Sequence, residues 1–162
     1  MWSLILHQGT VYPATIAAFP HLVRAVASLP PGHRAPWFSG LAELEAMRAV
    51  GTLHDPDGVV DAALEEAYHA ALQAVVPLAV ETLTTHGRWP GGDVGTASTL
   101  ALLAFARGDR RLGFMLARWW PYALVGTDRE PVPLAALEQY EELTGTNTGG
   151  PWTCVVNEDG HV

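Results

Sequence analysis

Apolar residues recur at intervals of three and four along most of this chain, and that period constrains the fold more than any other feature. From Pro13 onward, Ile16, Phe19, Leu22, Val23 and Val26 line one face of a helix expected to end near Leu29, because residues three and four apart share a side of an α-helix. Pro30-Pro31-Gly32 stops it. A second helix is expected from about Trp37 to Val50, with Leu41, Leu44 and Met47 inward and Gly51 just past its end. HDPDG, residues 54 to 58, reads as a turn in which aspartates bind nearby backbone N–H groups and Gly58 accepts unusual angles.

The longest pattern runs from about Val59 to Thr85 through Val60, Leu64, Tyr68, Leu72, Val75, Ala79 and Leu83. Pro77 is expected to kink or divide it, since proline removes a donor and clashes one turn back. After the breaker HGRWPGGDVG, the stretch TASTLALLAFA, residues 96 to 106, is apolar on nearly every side and reads as a central buried helix. A fifth helix follows RGDRR, with Leu112, Met115, Leu116 and Trp119 inward, and a sixth is expected from about Leu134 to Leu143. Trp152 to Val156 has strand-like composition, so the tail is expected to form a hairpin or an extended strap. The reading is therefore all-α: one helical domain over residues 1–144, with a C-terminal tail over 145–162 that packs on it or extends from it.

A chain of 162 residues with 49% hydrophobic and 16% charged residues can bury an ordered core unaided. Its formal net charge of −8 repels phosphate backbones and anionic lipid, which argues against general nucleic-acid or membrane-surface binding. No apolar run reaches the roughly 18 residues of a spanning helix. The single cysteine, Cys154, excludes an internal disulfide and a thiolate zinc cluster within one chain, which is compatible with a cytoplasmic setting. The start, MWSLIL, has neither the basic region nor the cleavage site of a secretory signal.

HQGTVYPAT, residues 7 to 15, followed by a small-residue helix and FPHLVRAV, resembles the first repeat of a group of bacterial HEAT-repeat-containing proteins. LHDPDGVVDAAL, residues 53 to 64, resembles the turn and second helix of a HEAT unit, and GDVGTASTLALL, residues 92 to 103, is a looser echo. Aligning Pro20 with Pro77 also places Ala14, Ala17, Phe19, Val23 and Val26 over Ala71, Ala74, Val76, Val80 and Leu83. The resemblance implies a short α-solenoid of about six helices in stacked antiparallel pairs. It also implies a binding role, because HEAT arrays mostly hold proteins in a groove and only a minority branch acts on DNA bases. Two departures stand out. Asp61 and Gly95 occupy the positions where HEAT units place an arginine, and the chain begins six residues before the motif, so its first helix is expected to be short.

Candidate chemistry is sparse. His7, Gln8 and Tyr12 form either a ligand-touching cluster or, the preferred reading, the start of a packed helix, with His7 and Gln8 capping and Tyr12 packing its ring. Glu66 and His69 have the Glu-x-x-His spacing of a di-iron helix, but the only other such pair, Glu158 and His161, lies in the tail; a solvated face is the simpler account. No metal site, cofactor or catalytic set is expected. There is no G-x-S-x-G elbow, and Gly91-Gly92 and Gly149-Gly150 lack the lysine of a phosphate loop. In Arg118-Trp119-Trp120-Pro121-Tyr122 one tryptophan satisfies the inward stripe, leaving Trp120 or Tyr122 beside Arg118 as an interface anchor unless the tail, with Trp152, covers it. The expectation is thus a non-catalytic module that binds a protein partner or its own copy through Arg118, Trp120, Tyr122 and Trp152. One rival is a small helical enzyme whose pocket uses a histidine with Glu65 or Glu66, with a deep polar cavity near His69. A weaker rival is a HEAT-type nucleic-acid enzyme, for which Arg107, Arg110, Arg111 and Arg118 form the only basic cluster.

Overall fold

Proline at a helix's first position costs no hydrogen bond, and the chain enters its first described helix that way. A computed structural model describes residues 10–51, 53–55, 57–85 and 93–123, the side chains of 93, 94 and 119–123 excepted. Helix α1 spans Pro13–Ala27, with Tyr12 as its extended N-cap. The Tyr12 backbone N–H donates to Thr15 Oγ1 at 3.4 Å, one half of a capping box. A 3₁₀ turn over Pro31–His33 leads to α2, Ala35–Ala49. Then follow α3 (Ala62–Thr85), α4 (Asp93–Ala106) and α5 (Arg110–Ala123). About 80% of the described residues are helical, and the fold is all-α. The expected sixth helix and the tail, including the boundary at residue 145, lie outside the described residues. Among the described residues no helix is long and apolar enough to cross a membrane.

The helices begin and end for local reasons. Asp61 Oδ1 accepts the Leu64 N–H at 2.8 Å and caps α3. Asp55 accepts the N–H groups of Val59 and Val60 at 2.8 and 2.9 Å, as expected for the turn before it. Helix α3 runs unbroken past Pro77 and is not divided there. The α4–α5 turn is the most tightly specified. Gly108 sits at φ +81°, which a side chain resists. Its N–H bonds to the Phe105 carbonyl and that of Asp109 to the Ala104 carbonyl, both at 2.9 Å, a Schellman pair. Asp109 Oδ1 then accepts the Leu112 N–H at 3.0 Å, so the residue that closes α4 also opens α5.

Packing follows the expected stripes in three helices. Ile16, Phe19, Val23 and Val26 of α1 are buried, as are Leu41, Leu44 and Met47 of α2, and Tyr68, Leu72, Val75 and Ala79 of α3. Each large apolar side chain contributes roughly 1.5–3 kcal/mol by leaving water. Helix α4 packs on α2, α3 and α5, the central place its composition demands. Its two buried hydroxyls are satisfied, that of Thr99 by donating to the Gly95 carbonyl within the helix and that of Ser98 by donating to Ser39 Oγ on α2. Helix α5 keeps Leu116 against the core as expected but departs at Leu112, and the side chain of Trp119 lies outside the described residues. Leu112 is 45% exposed, while Gly113 and Phe114 face inward. The cause is the close approach of α4, because a Cβ on Gly113 would lie 2.6 Å from the Phe105 ring. The Pro20/Pro77 alignment does not equate buried faces either, since Val23 is buried and Val80 is 47% exposed.

One buried arginine joins the layers. Arg34 donates from Nε to the Leu29 carbonyl at 2.9 Å and from Nη1 to the Leu78 carbonyl and to Glu81 Oε2, the last at 2.6 Å. It ties the α1–α2 link to α3. A parallel bridge between Val11 and Leu53 closes the opposite end of the α1–α2 unit, with the His54 N–H donating to the Val11 carbonyl at 2.8 Å.

Candidate functional site

Four segments enclose a cleft of about 460 Å³. The last turn of α2 supplies Glu45, Arg48 and Ala49, and Leu53 follows from the link after it. Helix α3 supplies His69, Leu72 and Gln73. The α4–α5 turn supplies Phe105, Ala106, Arg107, Gly108 and Arg110. The turn described above therefore does more than reverse the chain: it places Arg107 and Arg110, both exposed, at the rim. Gln73 Nε2 donates to the Ala106 carbonyl at 2.5 Å, which occupies an otherwise open acceptor at the end of α4 and fixes that turn against α3.

The floor is a buried polar network. Glu45 is 6% exposed, and its Oε1 accepts a hydrogen bond from the Tyr68 hydroxyl. Tyr68 is fully buried, with its ring stacked on Phe19 at a centroid distance of 4.2 Å. The Arg48 guanidinium lies over that ring, 4.1 Å from the centroid, a cation–π contact. Arg48 Nη2 also donates to both Glu65 oxygens, at 3.0 and 2.7 Å. Glu65 in turn meets His69 Nε2 at 3.4 Å. Burial pushes the Glu45 carboxyl above the ordinary carboxylate value, against the opposing pull of the Tyr68 hydroxyl and of the Arg48 and Arg110 charges. Burial and the neighbouring Glu45 push the Tyr68 hydroxyl well above its ordinary value.

Of the residues singled out from sequence, His69, Arg107 and Arg110 line the cleft and Glu65 lies beside it. His69 lines the cleft, but the acid paired with it is Glu65, one turn back on α3; Glu66 is exposed and is not part of the lining. The acid in the floor is Glu45, which sequence reasoning missed; its one visible signal is a carboxylate between the inward residues Leu44 and Met47. Tyr12 is 37% exposed, and its ring meets His54 edge-on at 5.8 Å, beside the start of α1. Arg118 is half-buried, with Nη1 3.0 Å from Glu43 Oε1 and Nη2 3.5 Å from the Met47 sulfur. Its Nε is buried and has no hydrogen-bond partner among the described residues. The backbone of Trp120 and Tyr122 lies in α5, while their side chains, and the whole of His7, Gln8 and Trp152, lie outside what the structure describes. Among the described residues no three His, Cys, Asp or Glu side chains are grouped to hold a metal ion.

No known protein family, characterised protein or solved structure matches this chain.

Proposed function

We propose that the chain is a non-catalytic, cytoplasmic binding module, a short HEAT-like helical array that holds a protein partner or a second copy of itself. The cleft between α2, α3 and the α4–α5 turn carries this reading, because its cations are presented on a rigid, capped turn rather than on a loose loop. Side-by-side packing of alternate helices, α1 with α3 and α2 with α4, supports the array, since successive layers of helix pairs bring such helices together. Arg118, Trp120, Tyr122 and Trp152 remain the proposed anchors. The test is capture from a bacterial lysate on the immobilised full chain, with light scattering of the free chain. One captured partner, or a dimer, that is lost in a variant carrying Trp120→Ala and Tyr122→Ala supports the reading; a strict monomer that captures nothing overturns it.

A second reading, a small helical enzyme, is favoured by one observation: a buried carboxyl with a raised pKa, Glu45, lines the same cavity as His69. It requires turnover of some bound compound that is abolished in both Glu45→Gln and His69→Gln while binding persists.

A further inference from the structure

In a chain of formal net charge −8, three arginines converge on one cleft. Arg48 is committed to Glu65 and to the Tyr68 ring, so its charge serves the network beneath. Arg107 and Arg110 lie outside those contacts, although the Arg110 charge also acts on Glu45. They flank Gly108 at the rim, both exposed, and each has a guanidinium suited to a planar carboxylate. The wall between that rim and the floor is mixed: Leu53, Leu72 and Phe105, the last two buried, give it an apolar strip, and His69 and Gln73 line the rest. Ala49, half-buried, leaves room beside them.

We infer that the cleft takes a carboxylate borne on an apolar group, its anionic end on Arg107 and Arg110 and its apolar body along Leu53, Leu72 and Phe105. Three features favour this chemistry over others. A cation meets two arginines at the mouth. A bare inorganic anion leaves the apolar strip wet. A neutral apolar compound leaves the rim charges unused, although a volume of about 460 Å³ has room for one aromatic ring with a short chain. Two sources share this chemistry: a free organic acid, and the carboxylate end of a polypeptide that finishes in an apolar residue. The inference rests on the cleft being a recognition site, but not on the partner being a protein.

The test is a calorimetric titration of the full chain with 4-phenylbutyrate and, in a separate arm, with N-acetyl-Gly-Gly-Phe bearing a free carboxylate. Parallel arms use 4-phenylbutylamine and inorganic phosphate. Saturable binding of either carboxylate, at least about tenfold tighter than the amine and the phosphate, is expected. Arg107→Gln and Arg110→Gln should each weaken it by about tenfold, the loss of one charge-assisted bond. Ala49→Leu, which fills the cleft without altering charge, should abolish it. Tighter binding of the peptide assigns a polypeptide source, and tighter binding of phenylbutyrate a free acid. Equal binding of the amine, equal binding of phosphate, or no effect of the arginine variants, with their helical circular dichroism unchanged, overturns the inference. Capture of a protein partner, or a dimer, without any carboxylate binding sinks this inference alone; carboxylate binding by a strict monomer that captures nothing sinks only the protein-binding reading.

Discussion

Replacing Tyr68 with phenylalanine isolates the polar floor of the cleft. Tyr68→Phe keeps the ring stacked on Phe19 and beneath Arg48, and removes only the hydroxyl that donates to Glu45. A buried carboxylate that loses a donor costs about 1.5–3 kcal/mol, because Glu45, at 6% exposure, has little access to water in exchange. The cost depends on pH with a definite sign. Glu45 titrates above its ordinary value of 4.5 when folded, so the folded protein keeps this proton to a higher pH than the unfolded chain does. Its contribution is therefore most favourable below the unfolded pKa and declines as pH rises through the folded one. The hydroxyl is one of the groups that hold the folded value down, so the variant's decline extends further upward. Urea unfolding at pH 4 and pH 8 should give a difference between wild type and variant of about 0.5–1.5 kcal/mol at the lower pH, where a neutral hydrogen bond is lost. At the higher pH it should widen to about 1.5–3 kcal/mol, where the charge is left without its donor. Measured in a Glu45→Gln background, the effect of Tyr68→Phe should no longer depend on pH. A difference that is equal at both pH values, or larger at pH 4, refutes the assignment of Glu45 as a buried, up-shifted acid held by Tyr68.

Other perturbations follow from the same geometry. Gly113→Ala sets a Cβ against the Phe105 ring and should cost about 1–3 kcal/mol despite better helix propensity, read as a lower thermal midpoint. Arg34→Ala strips two carbonyls and Glu81 of a buried donor and should cost about 2–4 kcal/mol, whereas Glu81→Ala, at an exposed partner, should cost less than about 1 kcal/mol in the same denaturation assay. Gly108→Ala, at φ +81°, should cost about 1 kcal/mol and speed amide exchange at Asp109, whose N–H closes the Schellman pair.

The helices were legible because burial in α1 and α3 follows a single period, and neither Pro20 nor Pro77 interrupts it. In helix α5 Leu116 packs on the core as expected, and Leu112 does not because the decisive residue is one with no side chain. Gly113 faces inward to admit Phe105 from α4, and a hydrophobic pattern gives such a position no weight. Arg34 escaped notice because its partners, the carbonyls of Leu29 and Leu78, are backbone atoms brought together only by the fold. The cleft was half visible. His69 was flagged by a spacing that pointed to Glu66, yet the i, i+4 neighbour Glu65 is the one within 3.4 Å. Glu45 looked like surface charge in a helix whose burial wraps around more than one stripe, with Phe38, Leu41, Ala42, Leu44, Glu45, Ala46 and Met47 all inside.

The turn between α4 and α5 separates two demands that most recognition sites confound. Its shape is held by backbone amides, one glycine, one aspartate and the amide of Gln73, none of which needs the guanidinium groups of Arg107 or Arg110. Those two positions can consequently be recoded to acidic, amide or aromatic side chains at little thermodynamic penalty. The same scaffold would then present a differently charged mouth, with the ionisation of Glu45 beneath it responding to the charge at position 110, an arrangement suited to diversification of ligand choice by surface substitution alone.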